Sequence, residues 1–307
     1  MHTPEIVPPS PKRYPFYLKL ASLFSVVRAY NIFLIVLAQY LASIFIFAVE
    51  KPMKQVLLDG SLHLIVLSTI CVIASGYIIN NFYDLETDRI NRPIKSKIDA
   101  LVSQQVRLSI YFLLNFLGVL FSFFVSWRAA LFFAVYIFSI WFYSHKLKKY
   151  PLTGLLSAAV LALLPFFAVF VYYRNFSELV FTHAAFLFFV LLIRELIKDL
   201  ENLQGDFVQN YQTIAVKYGE HFTKLLITLI VILTCNPVFF LLGYPEVGAM
   251  KYYFYASIVT LFALALALWF SRSPRQYYYL HLILKLLILL GVFSLSLTDL
   301  SRATGIF

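Results

Sequence analysis

The chain has 307 residues, 61% of them hydrophobic and only 13% charged, with a mean hydropathy of +0.82. A soluble domain of this length needs far more polar surface to cover itself, so that class is excluded. Repeated apolar runs of about 20 residues imply an all-α, polytopic membrane protein. The net charge of +10 lies mainly in the N-terminal tail and alternate loops, which fits the positive-inside rule rather than a nucleic-acid-binding face.

In chain order, residues 1–20 read as a polar, proline-rich cytosolic tail, and 21–307 as a single transmembrane domain. No apolar run begins near Met1, so no cleavable signal is expected and the first apolar helix serves for insertion. The predicted helices cover 22–48, 61–83, 106–126, 129–146, 152–173, 180–204, 223–243, 252–271 and 278–298. Pro165 predicts a kink in the fifth. Nine helices put the two termini on opposite sides, with the N-terminus cytosolic. Cys71 and Cys235 fall in apolar helices and read as buried thiols, not as a disulfide or zinc pair. The histidines lack ligand spacing and are assigned no chemistry. Lys285, inside the last helix, is expected to snorkel or to pair with a neighbouring helix.

Charge is concentrated at two helix ends. The second helix runs into Asn80-Asn81-Phe82-Tyr83-Asp84-Leu85-Glu86-Thr87-Asp88 and then a basic stretch to Lys97. If the helix continues, Asn80, Asp84 and Asp88 share one face, as oxygen ligands for a hard cation such as Mg²⁺ would. The basic stretch suits phosphate. The sixth helix ends in Asp199, Asn202 and Asp206, which fall within one sector of its surface. Both helices are even-numbered, so both clusters reach the same membrane face. Charges at a helix end commonly mark only the membrane boundary. Here two clusters hold helical register, and gathered like charges at a membrane are costly without a compensating cation or proton.

The Asn80-Asn81-x-x-Asp84-x-x-x-Asp88 pattern resembles the first motif of the UbiA superfamily of intramembrane prenyltransferases, and Asp199 to Asp206 resembles the second. The likeness extends to Arg28-x-x-Asn31, to Tyr143-Ser144-x-x-Leu147-Lys148, and to Thr213-Ile214-Ala215-Val216 with Gly219. Asp88-Arg89-Ile90-Asn91-Arg92-Pro93 and Arg194-Glu195 with Lys198-Asp199 are most similar to the branch of digeranylgeranylglyceryl phosphate synthases and chlorophyll synthases. Asn81 and Asn202 stand where that superfamily usually has aspartate.

The resemblance implies about nine helices around a central cavity open to the cytosol. It also implies Mg²⁺-dependent transfer of a polyprenyl group from its diphosphate to a lipid or aromatic acceptor. One Mg²⁺ would be held by Asn80, Asp84 and Asp88, a second by Asp199, Asn202 and Asp206. Arg28, Asn31, Tyr143, Lys148 and Lys198 would contact the diphosphate, with Asp84, Asp88, Asp199 and Asp206 as the catalytic carboxylates. Tyr77, Phe82, Tyr83, Tyr143 and Tyr150 are the aromatic faces available to an allylic cation. The partners implied are a polyprenyl diphosphate donor, the acceptor and membrane lipids, with no nucleic acid. Two other readings are a transporter, because acidic stripes also mark ion paths, and a non-catalytic prenyl-lipid-binding paralogue. Clustering of the polar residues at one face disfavours the transporter.

Overall fold

The computed structural model describes residues 15–48 and 50–298; most of the expected tail, together with Asp299 and Arg302, lies outside the described residues. A short helix, α1 (Phe16–Val26), leads into α2 (Ala29–Ala42), which a π turn extends over Ser43–Phe47. After α3 (Met53–Leu57) come α4 (Gly60–Tyr83), α5 (Leu85–Asn91) and α6 (Pro93–Asp99). Then follow α7 (Gln104–Val125), α8 (Trp127–His145), α9 (Pro151–Tyr173), α10 (Glu178–Glu201) and α11 (Leu203–Val208). The chain ends with α12 (Ile214–Gly243), α13 (Lys251–Phe270) and α14 (Pro274–Ser294). Among the described residues nine helices are long and apolar enough to cross a membrane: α2, α4, α7, α8, α9, α10, α12, α13 and α14.

The two most enclosed of these are α4 and α10, the helices that end in the acidic clusters. α4 packs on α7 and α8, and α10 packs on α9, α12 and α14. Leu62 and Val72 of α4 and Ile193, Leu196 and Ile197 of α10 are fully enclosed in one core. Outer helices instead present large apolar side chains outward, as Phe112, Phe116, Phe123 and Phe124 do on α7. That distribution suits lipid as the surrounding solvent, because lipid imposes no cost on exposed hydrocarbon.

Three expectations change. The first predicted helix is two helices, because the chain breaks at Val27–Arg28 and Arg28 takes a left-handed backbone with φ of 51°. That conformation costs a non-glycine residue about 1–3 kcal/mol and persists only where surrounding structure holds it. The stretch after the second helix is not loop but α5 and α6, with Pro93 opening α6 at a position where its missing N–H is harmless. Cys71 is buried as expected, but Cys235 is only partly so. It sits beside the enclosed stripe of α12 formed by Val231, Thr234 and Val238.

Pro165 lies inside α9 and has no N–H to give the Leu161 carbonyl one turn back. The Tyr136 hydroxyl of α8 donates to that carbonyl at 3.0 Å, and Gln39 of α2 donates to the Pro165 carbonyl at 2.8 Å. A lipid interior offers no water to replace such bonds. Tyr136→Phe is therefore expected to cost about 1–3 kcal/mol, the penalty for one unsatisfied buried acceptor. A lower melting temperature in detergent, with helical content at low temperature unchanged, is the measurement that checks it.

Candidate active site

Each acidic cluster straddles a joint between a long helix and a short one. Asp84 joins α4 to α5 with φ, ψ of −94°, 6°, and Asn202 joins α10 to α11 with −98°, 6°. Helical hydrogen bonds continue across both joints. The N–H of Asp84 donates to Asn80 and that of Asp88 to Asp84, at 2.9 and 2.8 Å. The N–H of Asn202 donates to Lys198 and that of Asp206 to Asn202, at 3.0 and 3.1 Å. The i, i+4 register thus survives the bends. α5 and α11 then lie against each other, where Gly205 leaves room for the Asn91 side chain that a Cβ would overlap. The Asn91 amide donates to the Asn202 carbonyl at 3.4 Å, and Arg92 faces Glu201 at 3.7 Å. Two segments 111 residues apart therefore form one rim.

The rim closes over an ion pair. Lys148, 8% exposed in the turn after α8, reaches Asp84 at 2.5 Å while its ammonium lies 5.9 Å from the Tyr83 ring and 5.7 Å from the Tyr211 ring. Asp84 also accepts from Asn80 at 2.8 Å and from the Tyr211 hydroxyl at 3.4 Å, and the Ser144 hydroxyl donates to Asn80 at 3.5 Å. Beside this pair a small cavity is lined by Tyr143, Lys148, Tyr150, Glu195, Lys198 and Asp199. Lys198 is held by Glu195 at 2.7 Å. Tyr211 was not legible in the sequence: it sits in an irregular link, and nothing in its spacing ties it to Asp84.

The carboxylates are under-compensated. Burial pushes Asp206 up to about 7; Lys198 pulls it down and the Asp84 charge raises it further. Burial also raises Asp88, against the pull of Lys95, whose ammonium is 4.0 Å away. Asp199 and Asp206 make no ion pair among the described residues. A divalent cation bound by oxygen would relieve that strain, so the residues present fit Mg²⁺. No group of three or more His, Cys, Asp or Glu among the described residues forms a metal cage. Mg²⁺ commonly takes one or two carboxylates and completes its shell with water and substrate phosphate, so a split donor set is compatible with it.

Asn81 has a different task. Its amide donates to Asp99 of α6 at 2.9 Å and accepts from Arg107 of α7 at 2.5 Å. Asp99, 1% exposed, also accepts from Ser25 of α1 and Lys95, both at 2.9 Å. Asn81 is thus a tie between α4, α6 and α7, bonded to Asp99 and Arg107.

A larger cavity of about 260 Å³ lies between α1, α2, α10 and α14 and the start of α6. Its lining carries Arg28, Arg92, Lys95, Arg194, Lys198 and Lys285, with His281 and Asn31. Arg28 lies 5.1 Å over the Tyr77 ring, and Asn31 donates to the Tyr77 hydroxyl at 3.2 Å. Lys198 lines both cavities. His281, given no role from the sequence, bonds Glu201 at 2.8 Å.

The sequence pattern of the UbiA prenyltransferase family matches residues 36–278, most of the chain. The chain belongs to the UbiA prenyltransferase family. The digeranylgeranylglyceryl phosphate synthase of Sulfurisphaera tokodaii is 26% identical over 73% of this chain and 80% of that protein. That of Korarchaeum cryptofilum is 33% identical over 59% of this chain and 66% of the relative. In fold, the chain matches a UbiA homologue from Archaeoglobus fulgidus bound to DMAPP and Mg²⁺, with a TM-score of 0.67 at 15% identity. That match covers 90% of this chain and 99% of the homologue. A structure of a digeranylgeranylglyceryl phosphate synthase matches with a TM-score of 0.63 at 19% identity, over 93% of this chain and 99% of the other. The UbiA chain is accordingly a multi-pass membrane protein and a prenyltransferase.

Asn81→Asp, which restores the residue usual in the UbiA motif, would set a carboxylate against Asp99 in place of an amide donor. It is expected to lower stability by about 1–3 kcal/mol and to leave Mg²⁺ affinity unchanged. Thermal melting with and without Mg²⁺ checks both parts.

Proposed function

We propose that this UbiA chain transfers a polyprenyl group from an allylic diphosphate to a hydroxyl of a membrane-borne acceptor, at the rim where the two acidic clusters meet. The supporting observation is that the ends of the two acidic helices meet in one rim, where Lys148 pairs with Asp84 and lines a small cavity together with Lys198 and Asp199. In the proposed reaction the C–O bond to the diphosphate breaks, an ether bond forms to the acceptor oxygen, and the hydroxyl proton leaves with diphosphate as the other product. Asn80, Asp84 and Asp88 would hold one Mg²⁺, and Asp199, Asn202 and Asp206 another. When bound, Mg²⁺ supplies Lewis-acid stabilisation of the departing diphosphate charge.

Lys148 and Lys198 add fixed cationic contacts to the same oxygens, with Tyr143 lining their cavity. A bound diphosphate would give Lys148 an anion to exchange for Asp84, leaving that carboxylate able to hold a cation. The faces of Tyr83, Tyr143 and Tyr211 around it offer negative charge density to the developing allylic cation. Arg28 and Asn31 act at the larger cavity. The acceptor proposed is of the geranylgeranylglyceryl phosphate type, in keeping with the names of the synthases that the chain resembles. The basic residues of the rim support a cytosolic position for this chemistry, with the N-terminus also cytosolic.

Purified protein is incubated with labelled geranylgeranyl diphosphate, Mg²⁺ and a panel of glycerol-phosphate, aromatic and quinone-precursor acceptors. A Mg²⁺-dependent prenylated lipid phosphate is expected. Asp84→Ala and Asp199→Ala should each cut kcat/KM by about 100-fold or more, about 2.7 kcal/mol of transition-state stabilisation. Intact donor with every acceptor would sink the proposal.

A further inference from the structure

The larger cavity holds three groups without an ion-pair or hydrogen-bond partner among the described residues. Arg28 and Lys285 make no salt bridge among the described residues, although both line this enclosed space. His281, 4% exposed, has its Nδ1 on the Glu201 carboxylate at 2.8 Å, so Nδ1 carries a proton. Its Nε2 is buried with no hydrogen-bond partner among the described residues. Buried polar groups in folded proteins nearly always have partners, and uncompensated charge within a membrane is costly. A cavity that gathers two unpaired cations and an orphan ring nitrogen is therefore built for something that arrives from outside the chain, and its chemistry is anionic.

We infer that this cavity is a second anion site, separate from the one lined by Lys148 and Asp199, and that it seats the phosphate monoester of the acceptor. The inference rests on the transferase reading for the word acceptor; the anion site itself does not. Arg28 and Arg194 offer planar guanidinium edges suited to bidentate contact with phosphate oxygens. Lys285, one helical turn after His281, adds a point charge from the same face of α14. His281 Nε2 accepts from a singly ionised phosphate or, as the imidazolium, donates to a doubly ionised one. Lys198, lining both cavities, lies where the two anions would be closest and separates their charges.

The donor has a different set of ligands. Lys148 and Asp199 line the small cavity and no part of the larger one, and Asp84 is paired with Lys148. The left-handed turn at Arg28 also acquires a purpose, because it delivers the guanidinium over the Tyr77 ring at the cavity wall. His281 and Lys285 fall outside residues 36–278, the span matched by the family pattern, whereas Arg28 stands in a stretch that resembles the superfamily.

Binding is measured by calorimetry on the full chain in detergent, without donor or Mg²⁺. The probes are geranylgeranylglyceryl phosphate, phosphate-free geranylgeranylglycerol and inorganic phosphate. The phosphate ester is expected to bind about ten-fold or more tightly than either other probe, and His281→Gln and Lys285→Met should each weaken it about ten-fold. Affinity for geranylgeranyl diphosphate with Mg²⁺ should stay within about two-fold in both variants, each first shown to melt like the parent. Unchanged ester affinity in a folded variant overturns the inference. Equal loss of donor affinity overturns it too, because the cavity would then belong to the diphosphate. Inorganic phosphate binding as tightly as the ester would make the site a free-phosphate site and overturn the acceptor assignment. If no acceptor is prenylated but the ester binds and the variants lose it, the anion site stands and the transferase reading alone fails.

Discussion

Lys148 against Asp84 is the contact on which the arrangement turns. An ammonium and a carboxylate taken out of water are each costly, and their attraction repays that only with good geometry and further hydrogen bonds. Here Asn80 and Tyr211 supply the bonds, and Tyr83 and Tyr211 flank the ammonium. Meeting these demands brings the end of α4, the turn after α8 and the link before α12 to one point. The N–H of Gln212 donates to the Lys149 carbonyl at 2.9 Å and anchors that link beside the turn. The most highly charged part of the chain is thus also tightly cross-connected.

The two joints, at Asp84 and Asn202, solve one geometric problem twice. A straight helix would carry its last carboxylate away from the bundle axis. A bend that keeps the i→i+4 hydrogen bonds turns the short helix across the end of the bundle and leaves the carboxylates on its inner side. The two short helices can then meet, since Gly205 adds no side chain between them. Nearly equal backbone angles at residues so far apart in sequence make the two halves of the rim local copies, although no repeat is apparent in the residues themselves.

Much of the site was legible because oxygen-bearing side chains recur at helical spacing in a chain with few charges. Asn80, Asp84, Asp88, Asp199 and Asp206 could be picked out for that reason, and helix parity put both groups at one face. Lys148 came with the motif in which it stands. Tyr211, Asp99, Glu201 and His281 could not be found this way, because their roles depend on partners 127, 18, 80 and 80 residues away. Asn81 reads as a lost charge next to its motif, and only its bonds to Asp99 and Arg107 reveal a structural tie. Lys285 looked like an oddity in an apolar helix until α14 was seen to turn it toward Arg28 and Arg194.

By itself, the sequence determined the solvent and the periodicity. Apolar runs of membrane length require helices, since backbone groups in hydrocarbon must bond within their own segment. Local i, i+4 spacing is then enough to gather carboxylates on a face. What only the tertiary structure decided is how the remaining charges are divided. Crossing of α1, α2, α10 and α14 leaves one cavity lined by six cations, two of them without a salt bridge among the described residues, and the turn after α8 with α9 and α10 builds another beside Glu195 and Asp199. Compensation of charge acts through space over a few ångströms, and spacing along the chain does not encode which distant side chains will come that close.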